Sequence, residues 1–231
     1  MSKTRIIEAV KQLDLGAVRT LLGAKPALLT VTDQRGRNLL HLACSAPCAD
    51  LGMGEAESAK MVNLLLDRGL DVDSQTPPDR DTCTALFFAV ARGRNTTLIK
   101  LLLKRGADVR KAPGGGLFAA AWWNSPAHLD LLLKAGADIE QVAGVTPFLA
   151  AWMWRNFDAA KFLAQRGAKL NVQEKKGRTA LHWGIEKEFD PAFLAWLVER
   201  GASPDIKDKE GVSARERASR KRDKKWLAAL A

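Results

Sequence analysis

The chain has 231 residues, 47% apolar and 27% charged, a globular balance that excludes wholesale disorder and suffices to bury a core. No apolar run approaches the roughly 20 residues of a membrane span, and Met1-Ser2-Lys3-Thr4-Arg5 leads into an amphipathic segment instead of a signal-peptide core. Cys44, Cys48 and Cys83 are too irregular for a disulfide framework, so a reducing, cytoplasmic setting without membrane association is expected, and half of the net charge of +10 falls between Arg215 and Lys225.

A recurring unit organises the chain. Residues 1–32 carry a helix pair through Glu8-Ala9-Val10 and Ala17-Val18-Arg19-Thr20-Leu21-Leu22, with no hairpin entry before it. In residues 33–73 a short helix starts at Asn38-Leu39-Leu40-His41 and a second ends at Leu64-Leu65-Leu66-Asp67-Arg68-Gly69. About ten extra residues within 45–58, rich in Ala, Pro, Gly and acids, are predicted to form a loop between those helices, projecting from one edge. Residues 74–110 repeat the pattern from Thr84-Ala85-Leu86-Phe87 to Leu101-Leu102-Leu103-Lys104-Arg105-Gly106. In residues 111–139, Pro113-Gly114-Gly115-Gly116 replaces the Thr-led entry, which predicts a more mobile hairpin before Leu131-Leu132-Leu133-Lys134-Ala135-Gly136.

Residues 140–171 run from Thr146-Pro147-Phe148-Leu149 to Phe162-Leu163-Ala164-Gln165-Arg166-Gly167, and residues 172–205 from Thr179-Ala180-Leu181-His182 to Trp196-Leu197-Val198-Glu199-Arg200-Gly201. The closing glycines are spaced by 37, 30, 31 and 34 residues. Each closes an amphipathic helix with a residue suited to the left-handed conformation, while Thr followed by Pro or Ala suits a capped helix start. Residues 206–231 place Arg215 and Arg217 where inner units carry apolar side chains.

Thr followed by Pro or Ala, a pair of small residues, a leucine-rich second helix and endings such as Gly106-Ala107-Asp108-Val109 and Gly136-Ala137-Asp138-Ile139 resemble the ankyrin repeat. The resemblance implies an all-α solenoid of helix pairs joined by short hairpin-like loops, about seven units including two degenerate caps, because terminal units have one wet side. It also implies that His41 and His182 are hydrogen-bonding staples between layers.

Other chemistry is thinly supported. His128 has no nucleophile or carboxylate placed around it by a recognisable motif. Asp71 and Asp73, or Asp79 and Asp81, fall in predicted hairpins where Asp caps and turns. His41, Cys44 and Cys48 lack a fourth metal ligand, and the glycines at 114–116 are followed by no Lys-Ser or Lys-Thr that would mark a phosphate cradle. A non-enzyme without metal, cofactor or small-molecule substrate is expected.

The resemblance implies that another protein is bound in the concave groove, through hairpin tips and the positions after the small-residue pair of each first helix. These are Trp122 and Trp123, Met153 and Trp154, Ala91 and Arg92, and Glu186 and Lys187, with Arg155 beside them. Trp123 and Trp154 are expected to be exposed, because so short a helix pair cannot bury both faces of its first helix, whereas Trp152, Trp183 and Trp196 read as core. A bacterial regulator, inhibitor or immunity-type role is the expected use of such binding. The alternative is nucleic-acid or acidic-surface binding through the seven basic residues of the C-terminal segment; the other reading of that segment is a cap, with Trp226, Leu227 and Leu230 tucked inward.

Overall fold

Each apolar run that ends in glycine forms a helix stopping at the predicted place. Gly69, Gly106, Gly136, Gly167 and Gly201 have φ between 89° and 100°, a region costly to residues bearing a Cβ. In each case the following amide reaches back to the helix, as Ala107 N to Leu102 O at 3.0 Å and Ala202 N to Leu197 O at 3.0 Å, which closes the last turn. The short helices begin as the sequence predicts: Thr84, Thr146 and Asn38 accept from the amides of Phe87, Leu149 and His41.

The computed structural model describes residues 2–77, 82–111, 115–142 and 144–231. Helix α1 (Ser2–Lys11) pairs with α2 (Leu15–Ala24), which a 3-10 turn (Pro26–Thr30) follows, and α3 (Leu39–Ser45) pairs with α4 (Glu55–Asp67). Helix α5 (Ala85–Phe88), continued by a π turn (Ala89–Gly93), packs on α6 (Thr96–Lys104), and α7 (Gly115–Trp122) precedes α8 (Pro126–Lys134). The remaining pairs are α9 (Pro147–Met153) with α10 (Phe157–Gln165), α11 (Ala180–Glu186) with α12 (Pro191–Val198), and α13 (Ala214–Ser219) with α14 (Lys225–Ala228). Strand-like pairing among the described residues is limited to isolated antiparallel bridges, Thr32 with Asn38, Gln75 with Thr84 and Lys207 with Ser213. The chain forms two compact units, one of residues 1–120 with 130–138 and one of residues 121–129 with 139–231.

In the first unit Leu39, Leu40, Met61, Leu65, Leu98, Ile99 and Leu102 are fully buried. The polar ties between layers are equally specific. His41 Nδ1 accepts from Asn38 N at 3.1 Å, which places the proton on Nε2, and Nε2 donates to Ser74 O at 2.9 Å in the next hairpin. Buried Asn95 caps α6 and donates to Ser58 Oγ at 2.8 Å. The π turn has a cause in the sequence. Ten positions separate Thr84 from Arg94, against nine from Thr146 to Arg155 and from Thr179 to Glu188, and the helix absorbs the extra residue by widening locally.

The second unit is built on aromatics. Trp152, fully buried, donates from Nε1 to Ala180 O at 2.8 Å, and Phe157 stacks on Phe193 with centroids 4.0 Å apart. His182 repeats the imidazole tie: Nδ1 accepts from Thr179 N at 3.1 Å and Nε2 donates to Val212 O at 3.0 Å. Burial pushes both imidazoles below the usual histidine range, so both are neutral at pH 7.

The C-terminal segment closes this unit as a cap. Trp226 and Leu230 are buried, Leu227 is half-buried, and Trp226 Nε1 donates to Phe189 O at 2.8 Å. The arginines in apolar positions are neutralised: Arg215 pairs with Asp205 at 2.7 Å, and Arg217 with both Asp208 and, at 3.0 Å, Glu210. Burial raises the Asp208 carboxyl, but the Arg217 guanidinium and the Val212 and Glu210 amides outweigh it and lower its pKa to about 2.

Several expectations need correction. The loop between α3 and α4 is residues 46–54, because Ser45 ends α3 and 55–58 begin α4; its Ala46 and Cys48 are buried, and Ser58 is a buried acceptor. Gly115 and Gly116 form the first turn of α7 instead of a hairpin, and a Cβ on Gly116 would meet Leu132 at 3.2 Å and Val90 at 3.3 Å. Ala91 is buried, since the π turn draws it inward. Trp183 and Trp196 are half-buried, each with an arginine over its ring, Arg178 at 4.1 Å and Arg200 at 4.1 Å. Asp79, Asp81, Pro113 and Gly114 lie outside the described residues.

Truncating Leu102 to Ala is expected to cost about 2–5 kcal/mol in urea unfolding, as a large-to-small change at a fully buried site. A depressed carboxylate stabilises above its unfolded pKa and stops doing so as pH falls through its folded one. The stability gap between wild type and Asp208→Asn is therefore expected to be full above about pH 4 and to close toward pH 2 in urea titrations at stepped pH.

Candidate protein-binding surface

In the four units between residues 74 and 205 the first helix is only about two turns long, and a single left-handed residue turns the chain from it into the second helix. These residues are Arg94, Asn124, Arg155 and Glu188, with φ of 44°, 50°, 63° and 54°. None is glycine, and each such conformation costs about 1–2 kcal/mol. In the second unit the side chains at these positions reach the adjoining layer. Asn124 Oδ1 accepts from Ala159 N at 2.8 Å and its Nδ2 donates to Asp158 Oδ2 at 3.2 Å. Arg155 Nη2 donates to Lys187 O at 2.7 Å and its guanidinium lies 4.8 Å from the Phe189 ring centroid. Glu188 pairs with Lys221 at 2.7 Å.

In the second unit the two residues before each turn lie at the end of the first helix and are exposed or half-buried. Trp122 and Trp123 are 48% and 44% exposed, although residues of this type are usually well buried. Trp122 leans on Trp154, centroids 3.9 Å apart and rings inclined by 67°, while Asn156 Nδ2 donates to Ala121 O at 3.0 Å and Trp122 O at 2.6 Å. The end of α7 is thereby pinned, and the tryptophans stand on a fixed backbone. Met153 and Trp154 are half-buried.

One layer on, Glu186 and Lys187 are exposed at the end of α11. Arg178 donates to Glu186 Oε2 at 2.8 Å and to Glu174 Oε1 at 2.9 Å, and Lys187 Nζ lies 5.8 Å from the Trp183 centroid. The structure thus brings Trp122 against Trp154 and ties Arg155 to the backbone of Lys187. Arg92 is exposed in the π turn of the first unit.

Asn124, Asn156 and Glu188 escaped the sequence reading. For Asn124 and Glu188 the signal was available: 94, 124, 155 and 188 recur at spacings of 30, 31 and 33, close to those of the closing glycines. The basic C-terminal cluster is partly compensated, since Arg215, Arg217, Lys221 and Lys225 all pair with carboxylates. His41 spends both ring nitrogens on hydrogen bonds beside buried Cys44.

Layered helix pairs, glycine-closed second helices and imidazole ties define a repeat protein, and the chain belongs to the ankyrin repeat family. The family model described as "Ankyrin repeats (3 copies)" matches residues 6–113, 53–142 and 117–208. Among solved structures the chain is similar to the ankyrin repeat domain of Bcl-3, a member of the IkappaB protein family, with 23% identity, TM-score 0.77 and coverage of 98% of this chain and 97% of that one. It is likewise similar to the human ASB11 ankyrin repeat domain, with 22% identity, TM-score 0.75 and coverage of 97% and 95%. Among curated proteins no match was found. Ankyrin repeats are protein–protein interaction modules, and families of this fold are typically non-catalytic. Among the described residues no helix is long and apolar enough to cross a membrane.

The indoles next to this surface differ in what their nitrogens do. Trp152 Nε1 has its carbonyl acceptor, whereas among the described residues none lies within reach of buried Trp183 Nε1. Trp152→Phe is expected to cost about 2 kcal/mol or more, by removing the indole bond to Ala180 O and opening a cavity at a fully buried site, and Trp183→Phe less than about 1 kcal/mol. Paired thermal and urea melts of the two variants check this order.

Proposed function

We propose that the protein recognises a partner protein through the ends of its first helices, with Trp122, Trp123, Met153 and Trp154 as the apolar centre and Arg155, Glu186 and Lys187 as the polar margin. Arg92, exposed in the first unit, is a separate candidate contact of that unit. The observation that carries this reading is the exposure of two adjacent tryptophans on a backbone pinned by Asn156. Exposed aromatics cost solubility, and tryptophan is the residue type most enriched where binding energy concentrates. A rigid surface also loses little entropy when it is covered.

The role we favour is that of a bacterial regulator, inhibitor or immunity-type protein that holds its partner by this surface. Binding of nucleic acid by the C-terminal segment is the weaker reading, because four of its seven cations pair with carboxylates and Trp226, its aromatic, is buried.

Capture from source-cell extract is expected to yield a protein that wild type retains at high salt and that Trp122→Ala with Trp123→Ala loses. Each truncated anchor should weaken binding by about 2 kcal/mol or more, while folding stability stays within about 1–2 kcal/mol. Recovery of nucleic acid alone, released by salt and indifferent to both tryptophans, would transfer the function to the basic segment.

A further inference from the structure

The register of the last layer assigns the chemistry of the partner. Ser213 caps α13 as Thr146 caps α9, and Thr179 stands at the same place before α11, so Arg220 and Lys221 occupy the positions of Met153 and Trp154 and of Glu186 and Lys187. Contacts within the second unit join these positions in one sequence. Trp122 touches Trp154, Arg155 is bonded to Lys187 O, and Glu188 is paired with Lys221.

Charge changes sharply along that strip. Its first two layers present indoles and a thioether, whereas the next two present cations. Glu186 shares Arg178 with Glu174, Lys221 pairs with Glu188, and Glu216 lies in the field of Arg220, so that Lys187, Arg220 and Arg222, all exposed, are the cations this strip presents outside ion pairs among the described residues. The aromatic and basic ends are two layers apart, roughly 20 Å at 8–10 Å per layer of packed helices.

Resting on the binding face assigned above, we propose that the partner presents an extended acidic segment with a displaced apolar anchor. A Trp, Phe or Leu side chain seats against Trp122 and Trp154, and Asp or Glu side chains about six residues along the chain meet Lys187 and Arg220; an extended chain covers that distance at about 3.3 Å per residue. Acidic complementarity steers the encounter and sets the register, while the anchor supplies most of the affinity.

A single-stranded nucleic acid would also bring stacking and negative charge, but the strip is poorly built for it. Stacking needs an open π-face beside a cation that tracks the backbone. Trp122 and Trp154 lean on each other at 67°, and the neighbouring Arg155 is committed to Lys187 O and the Phe189 ring.

The test is a selection of random displayed peptides of about 16 residues, long enough to span two layers, against the full chain. The enriched peptides are then synthesised and titrated by fluorescence anisotropy. The proteins compared are wild type, Trp122→Ala with Trp154→Ala, and Lys187→Glu with Arg220→Glu, each checked for an unchanged circular-dichroism melt, with Lys187→Gln and Arg220→Gln as the milder pair. Enriched peptides are expected to carry an apolar side chain and an acidic cluster about six residues apart. Either double variant should bind them at least about tenfold more weakly, and replacing the peptide's acids by Ala should abolish the effect of charge reversal. Peptides that need the tryptophans but ignore charge reversal would overturn the acidic assignment and leave the binding face standing. Selection of no tryptophan-dependent peptide would overturn both. Tighter binding of labelled oligo-dT of about 15 nucleotides, lost on charge reversal, would overturn the proposal in favour of nucleic acid.

Discussion

A buried neutral imidazole bonded on both sides is the tie on which the layers depend. His41 and His182 each accept from the amide at the start of their own helix and donate to a carbonyl of the following hairpin. The first bond fixes the tautomer, and the tautomer makes the second possible. Inside a protein such bonds are strong because no water competes, and an unpaired ring nitrogen there would be costly. With hairpins held at this end, α3 and α11 need no length of their own to stay helical.

Short helices have a functional consequence. Two turns are enough to seat one face on the core, and the last residues of each helix then fall outside it. The left-handed residue that follows must be held by something other than glycine's freedom, and here Asn124, Arg155 and Glu188 are held by bonds to the adjoining layer. Backbone strain and surface presentation are thus two aspects of one device, and Trp122 and Trp123 are displayed by a chain that cannot yield beneath them.

The same economy explains the C-terminus. A last layer has no successor to cover it, and its apolar positions would be wet. Arg215 and Arg217 replace them and are compensated by Asp205, Asp208 and Glu210, while Trp226 folds over the aromatic core of the second unit and bonds the Phe189 carbonyl. Much of what looks in the sequence like a polycation is therefore a capped end, and the excess that persists lies at Arg220, Arg222 and Lys224.

The family, the helix pairs and their endings were legible in the sequence because they rest on local rules: a glycine that alone tolerates φ near 90°, a hydroxyl that caps, an apolar stripe of fixed period. The exposure of Trp122, Trp123, Glu186 and Lys187 was legible for the same reason, as were the buried Trp152 and the cap formed by Trp226. What the sequence left open depended on distance in space. Only tertiary packing decided that Trp183 and Trp196 sit half-exposed beneath arginines, that one extra residue becomes a π turn burying Ala91, and that 55–58 belong to α4 and not to a loop. Those outcomes turn on which side chain from another layer arrives to cover a group, and local propensity carries no information about that arrival.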